Sequence, residues 1–184
     1  MRLPDKIVEF RVTKLRDEHA YGVFYEDTYP QIKKYLASRV ENKEVAEDIT
    51  HEAFVELWHI IFVRKEEVRK SLRGFLFLIA KRRLMDHYRR KSKSPTYIDE
   101  YIEQSAVSNN FLSELEVGSE MGLVRNCLVK LAPTYREVIT LRYLDGLEFE
   151  EISAIMEKTS GTVRVLLHRA LKELRDELGK TLEE

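Results

Sequence analysis

The chain has 184 residues, of which 43% are hydrophobic and 34% charged, with a formal net charge of −1. Seven glycines, four prolines and no strand-like alternation exclude a sheet-rich fold and favour long helices with charged surfaces, in one domain or two small ones. The single cysteine, Cys127, excludes an internal disulfide framework; with no apolar run of membrane-spanning length and a charged start from Met1 to Arg16, the sequence points to a cytoplasmic protein.

The first compact region is expected from Asp17 to about Lys93. Phe24, Tyr25, Ile32, Tyr35, Leu36 and Val40 recur at helical spacing, and Pro30 marks either a break or the first turn of a new helix. Asn42 opens a helix to about Phe62, with Ala46, Ile49, Ala53, Leu57 and Ile60 on one stripe. A charged connection from Arg64 to Ser71 leads to a helix from Leu72 to about Lys91. From Arg64 to Lys93 there are twelve Lys/Arg against three Asp/Glu, a local charge of +9. Screening acts over about 8 Å at physiological salt, so a polyanion responds to this patch and not to the total.

Ser92 to Gly118 holds Pro95 and the polar run Ser108-Asn109-Asn110 and is expected to be a linker. Pro95 to Glu120 carries six acids and no Lys or Arg. A second helical region begins near Ser119, punctuated by Pro133 and by Asp145-Gly146 into a helix, a second helix from Pro133 to Tyr143, and a final pair. In that pair, Phe149 to Met156 is a short amphipathic helix with Ile152, Ile155 and Met156 inward. Glu157-Lys158 forms a turn, Thr159 caps, and a helix follows from Ser160 to about Leu178 with Val163, Leu167, Leu171 and Leu174 inward. Lys158 to Arg175 has five bases and one acid. Two helices joined by so short a turn are a helix-turn-helix or an ordinary helical hairpin; the acidic first helix and basic second favour a DNA reader.

Two stretches go beyond generic pattern. Leu131-Ala132-Pro133-Thr134-Tyr135-Arg136-Glu137-Val138, continued by Leu141 to Leu147, then Phe149-Glu150-Glu151-Ile152, Gly161-Thr162-Val163-Arg164 and Leu167-His168-Arg169-Ala170, resembles region 4 of extracytoplasmic-function sigma factors. Ala46-Glu47-Asp48-Ile49 with Glu52, Phe54 and Trp58 is similar to the family's region 2 segment that docks on the polymerase clamp. Phe75, Leu76, Ile79-Ala80-Lys81 and Asp86-His87-Tyr88-Arg89-Arg90 resemble its −10-reading helix, and Phe24 with Tyr29-Pro30 matches the opening of region 2.

The resemblance runs from about Tyr21 to Leu178 and implies an all-α protein of two small helical domains: region 2 over residues 1–93, an acidic linker over 94–118, and region 4 over 119–184. It implies an alternative sigma factor that binds core RNA polymerase through the β and β′ subunits and reads promoter DNA, with an anti-sigma protein as regulator. Asp48, Glu52, Phe54 and Trp58 would meet polymerase. Lys81, Arg82, Arg89 and Arg90 would meet DNA at the −10 element, where flipped bases need a pocket and cationic support. Phe75 and Tyr88 read better as core. Ser160, Thr162, Arg164, His168, Arg169 and Lys172 would lie at the −35 element, with the linker running through polymerase channels normally occupied by RNA. Four departures bear on the promoter read. Glu157 and Lys158 stand where a glycine and an apolar residue are usual, Val165-Leu166 where Ser-Arg is common, Arg82 where an asparagine often reads the −10 element, and His51 where glutamine is common.

Other chemistry fits less well. Asp48, His51, Glu52 and Glu56 share a helical spacing, but such a cluster reads as a solvated face, so no metal or cofactor is expected. No glycine-rich phosphate loop, nucleophile elbow or catalytic carboxylate pair is present, which argues against an enzyme. Two rivals remain: a helix-turn-helix regulator acting without a polymerase-binding segment, and a helical interaction protein with no DNA contact.

Overall fold

Short polar side chains open four of the described helices, through Asp17, Asn42, Ser71 and Thr159. The computed structural model describes residues 4–40, 42–68, 71–91 and 120–183, which form eight helices and no strand. Helix α1 (Asp5–Thr13) follows Pro4. Helix α2 (Glu18–Ala37) starts at Asp17, whose carboxylate accepts from the Ala20 amide at 3.0 Å and from Arg11 Nε at 2.8 Å, tying α2 to α1. Asn42 Oδ1 accepts from the Glu44 amide at 2.8 Å and opens α3 (Lys43–Trp58), which runs on into a π-helical turn, His59–Val63. Ser71 Oγ accepts from the Gly74 amide at 3.3 Å at the head of α4 (Leu72–Lys91).

The second half starts with α5 (Glu120–Lys130) and α6 (Pro133–Ile139), the latter with proline in its first turn, where a missing N–H costs nothing. A π-helical turn, Thr140–Leu144, extends α6. Gly146, at φ 70, reverses the chain into α7 (Phe149–Ile155), which a Glu148/Glu151 capping box opens. Helix α8 (Ser160–Glu183) closes the chain. The acidic stretch read as a linker lies outside the described residues.

Two expectations need correcting. Pro30 neither breaks nor starts a helix: α2 runs through it. Thr28, Ile32, Tyr35 and Leu36 are buried on one side of α2 while Pro30 is exposed, so packing outweighs the lost backbone hydrogen bond. The first compact unit also starts before Asp17, because Val8 and Val12, one turn apart, bury α1 against α2.

Helices α2, α3 and α4 pack on one another around Ile32, Leu36, Leu57, Ile61, Leu76, Phe77 and Leu84, all essentially sealed from water. Each such side chain contributes about 1.5–3 kcal/mol relative to exposure. In the second half α8 lies across α5, α6 and α7 and buries Val163, Leu167, Ala170 and Leu174. Buried Arg136 donates to the carbonyls of Leu128 (3.1 Å), Val129 (2.7 Å) and Leu131 (3.1 Å), satisfying the end of α5. The halves touch: α7 packs along α4, and there Gly74 lets the backbones approach, since a Cβ would stand 3.0 Å from Glu151 Cα.

Candidate functional site

Three surfaces hold the residues expected to act. On α3, Asp48 and Glu52 are exposed one turn apart. Phe54 is not on that face. It is 3% exposed, with its ring 4.6 Å from Tyr25 and 6.3 Å from Phe24, so it braces α3 from beneath rather than offering a contact. Trp58 is half-buried, stacked on Phe62 at 4.0 Å and meeting Tyr21 edge-on at 5.1 Å, which fixes the indole at the rim of the face. Val55, 56% exposed, shares the helical stripe of Asp48 and Glu52. Sequence reading passed over it, although the spacing 48, 52, 55 is that of one helix face.

The four basic residues of α4 expected to meet the −10 element divide into two pairs. Arg89 and Arg90 are exposed near its C-terminus and stay close to Asp86, Arg89 Nη1 lying 3.3 Å from its carboxylate. Lys81 and Arg82 instead face the second half, where Lys81 Nζ donates to Glu137 Oε1 at 2.8 Å and Arg82 Nη2 to Glu157 Oε1 at 2.9 Å. Tyr88 belongs to the core as expected: it is buried, and its hydroxyl donates to the Arg39 carbonyl.

The third surface is the helix pair α7–α8. Thr159 Oγ1 accepts from the Thr162 amide at 3.1 Å, so α8 is capped where the sequence places the cap. Thr162, Arg164, His168, Arg169 and Lys172 are exposed, and Ser160 is half-buried. The inward set holds, with Val163, Leu167 and Leu174 buried and Leu171 half-buried against the core. Two residues here escaped the sequence reading. The Phe149 ring at the start of α7 lies under two guanidinium groups, with Arg164 Cζ 4.9 Å and Arg142 Cζ 5.1 Å from its centroid. Arg142 Nη1 also donates to the Leu147 carbonyl at 2.7 Å and sits 3.0 Å from Glu148 Oε2. An aromatic with basic residues seven positions before and fifteen after it carries no periodic signal, because the residues meet only through the turn.

Among the described residues no group of three or more His, Cys, Asp or Glu is arranged to hold a metal ion, and no helix is long and apolar enough to cross a membrane.

Comparison with known proteins adds an independent line. The family model described as Sigma-70 region 2 matches residues 24–94, and that described as Sigma-70, region 4, matches residues 121–174. The chain is 30% identical over 165 residues to the RNA polymerase sigma factor YlaC of Bacillus subtilis, covering 87% of this chain and 92% of YlaC. It is 26% identical to the ECF RNA polymerase sigma factor SigW of the same organism, covering 95% of this chain and 98% of SigW. Among solved structures it resembles CnrH in complex with the cytosolic domain of CnrY, with a TM-score of 0.58, 19% identity and 97% of both chains covered. It also resembles the sigma factor RpoE of Bartonella quintana in complex with the anti-sigma factor NepR, with a TM-score of 0.52, 17% identity, and 86% of this chain and 96% of that one covered.

Proposed function

The chain belongs to the extracytoplasmic-function family of RNA polymerase sigma factors, and from that premise we propose how its own residues divide the work of promoter-specific transcription initiation. Helix α3 presents Asp48, Glu52 and Val55 with the Trp58 edge to core RNA polymerase. Large apolar groups ringed by acids suit a desolvated anchor with a polar rim. Arg89 and Arg90, joined by Lys81 and Arg82 once these are free, support the backbone of the −10 element on α4. Helix α8 enters the major groove at the −35 element, its capped first turn directing backbone N–H groups and the positive end of the helix dipole at a phosphate. Region 2 spans residues 1–93, region 4 spans 119–184, and the acidic stretch between them connects the two. An anti-sigma protein is the expected regulator, and the cytoplasm the expected compartment.

The observation that carries this reading is the pairing, in one chain, of an exposed, capped recognition helix with a separate acidic and apolar face on α3. A helix-turn-helix regulator acting alone has no use for the second surface, and a helical interaction protein has none for the first. The test is run-off transcription with purified core enzyme. Wild-type chain should confer initiation from a promoter that core enzyme alone ignores. Asp48→Arg with Glu52→Arg should abolish core binding while leaving helical content unchanged. Unchanged affinity of the double variant for core would move the polymerase contact to another face.

A further inference from the structure

Helix α8 turns one face away from the rest of the chain, and that face is not uniformly polar. Val163, Leu167, Ala170 and Leu174 are buried. At about 3.6 residues per turn, the stripe opposite them is Gly161, Val165, His168 and Lys172. All four are exposed. Val165 is 53% exposed, the one large apolar side chain so placed among the described residues of α8, whereas its neighbour Leu166 is half-buried against the core. A lone exposed valine is ordinary on a protein surface. This one differs in its setting. It stands on the outward stripe of the helix, with Arg164 beside it and His168 and Arg169 one turn on.

Gly161, one turn before Val165 on the same stripe, points the same way. A Cβ there would meet nothing closer than Thr159 Oγ1 at 3.9 Å, so packing does not demand glycine, and glycine weakens a helix relative to alanine. What it supplies is a first turn with no side chain on the outward stripe, so that the valine behind it can come close to a partner surface. In the major groove only thymine, of the four bases, presents an apolar group, its C5 methyl, and apolar side chains are the groups that contact it. The Arg164 guanidinium, against the Phe149 ring at 4.9 Å, stands to one side of this stripe. A cation and an apolar group on successive residues suit two neighbouring base pairs.

We propose that Val165 determines specificity on the recognition helix by contacting the C5 methyl of a thymine in the −35 element, at a base pair neighbouring the one Arg164 meets. The contact works by shielding two apolar groups from water, with no hydrogen bond and no counterion released, so its contribution is independent of salt. This rests on the sigma-factor reading.

The test uses the full chain with core RNA polymerase and a pool of duplex promoters randomised over the −35 element. Templates initiated by wild type and by Val165→Ser are sequenced. Val165 lies outside the buried set, so the variant should keep the wild-type melting temperature. Wild type should enrich thymine at one position, and Val165→Ser should lose that enrichment while keeping the others. One enriched promoter is then remade with deoxyuridine at that position, which removes the methyl and nothing else. Wild-type holoenzyme should bind it about three- to fivefold more weakly, the effect of one methyl-sized contact, by the same ratio at low and high salt. Holoenzyme with Val165→Ser should not distinguish the two promoters. Identical base preferences for the two proteins, or a deoxyuridine effect that is absent in wild type or equal in both, would overturn the thymine contact and leave the sigma reading standing. If wild type initiates from no promoter that core enzyme alone ignores, the sigma reading fails and the contact with it.

Discussion

The guanidinium of Arg164 is held on two sides: the Phe149 ring lies under it at 4.9 Å, and the Glu150 carboxylate stands 3.9 Å away. An arginine fixed by a ring face loses less rotamer freedom when it meets a guanine edge, which it can bridge with two parallel hydrogen bonds. Arg164→Ala should therefore cost about 1–3 kcal/mol at the cognate promoter and relax preference at one −35 position. Lys172, exposed about two turns further along α8, is proposed to meet phosphate. Lys172→Ala should weaken all promoters alike and lower the slope of log K against log salt by about 0.9. Titrating both variants across a salt series separates these behaviours. If both only flatten the salt dependence, Arg164 is a backbone contact and the readout falls to Ser160, Thr162 and His168. Phe149→Leu keeps an apolar side chain at the start of α7 but removes the ring face. It should reproduce part of the Arg164→Ala loss of preference, and Phe149→Tyr should restore it.

Helix boundaries follow local chemistry, so they are also where single substitutions have calculable effects. Thr159→Ala removes the oxygen that caps α8 and should cost about 1 kcal/mol in a urea titration, the usual worth of a lost N-cap. Glu157→Gly, two residues earlier, should pull the other way locally by about 1 kcal/mol, since a non-glycine residue pays that much for the left-handed conformation. That gain appears in full only if the loss of the Arg82 pair, an exposed one, is small. The element that binds these substitutions was legible in advance. Asn42, Pro133 and Thr159 announce helix starts through short-range hydrogen bonding, and the inward stripe of α8 follows from a 3.6-residue period. What the sequence hid depends on partners distant along the chain. Continuity of α2 through Pro30 is decided by burial of Thr28, Ile32 and Leu36, and the burial of Phe54 by Tyr25 and Phe24. Helix α1 carried a signal, Val8 and Val12 one turn apart, but it is a two-residue stripe in a charged segment. The engagement of Lys81 and Arg82 could not be read from a count of charges, because it depends on how the halves meet.

For the whole molecule the decisive group is Arg39, separated by 106 positions from its partner Asp145, with their side chains only 5% and 6% exposed. Burial works against the arginine charge, but Asp145 and the Tyr35 ring 3.9 Å away more than offset it, so its pKa lies above the ordinary arginine value. Such a pair adds little net stability compared with apolar residues of the same volume, whereas removing one partner typically costs 3–5 kcal/mol. Here the cost has an escape. An Asp145 carboxylate stripped of its cation can regain water if the second half moves off the first, at the cost of exposing the apolar α4–α7 contact through which the buried residues of both halves form one continuous cluster. The penalty is thus limited to the free energy of the contact between the halves. Arg39→Met should convert a single calorimetric unfolding transition into two, each half melting on its own, with helical content at 25 °C unchanged. Adding Asp145→Leu removes the stranded carboxylate and should bring the transitions back together. One transition that merely shifts to lower temperature in Arg39→Met would mean the halves fold as a single cooperative unit, with Arg39 serving the core of the first half through the Tyr35 carbonyl it also donates to at 2.7 Å.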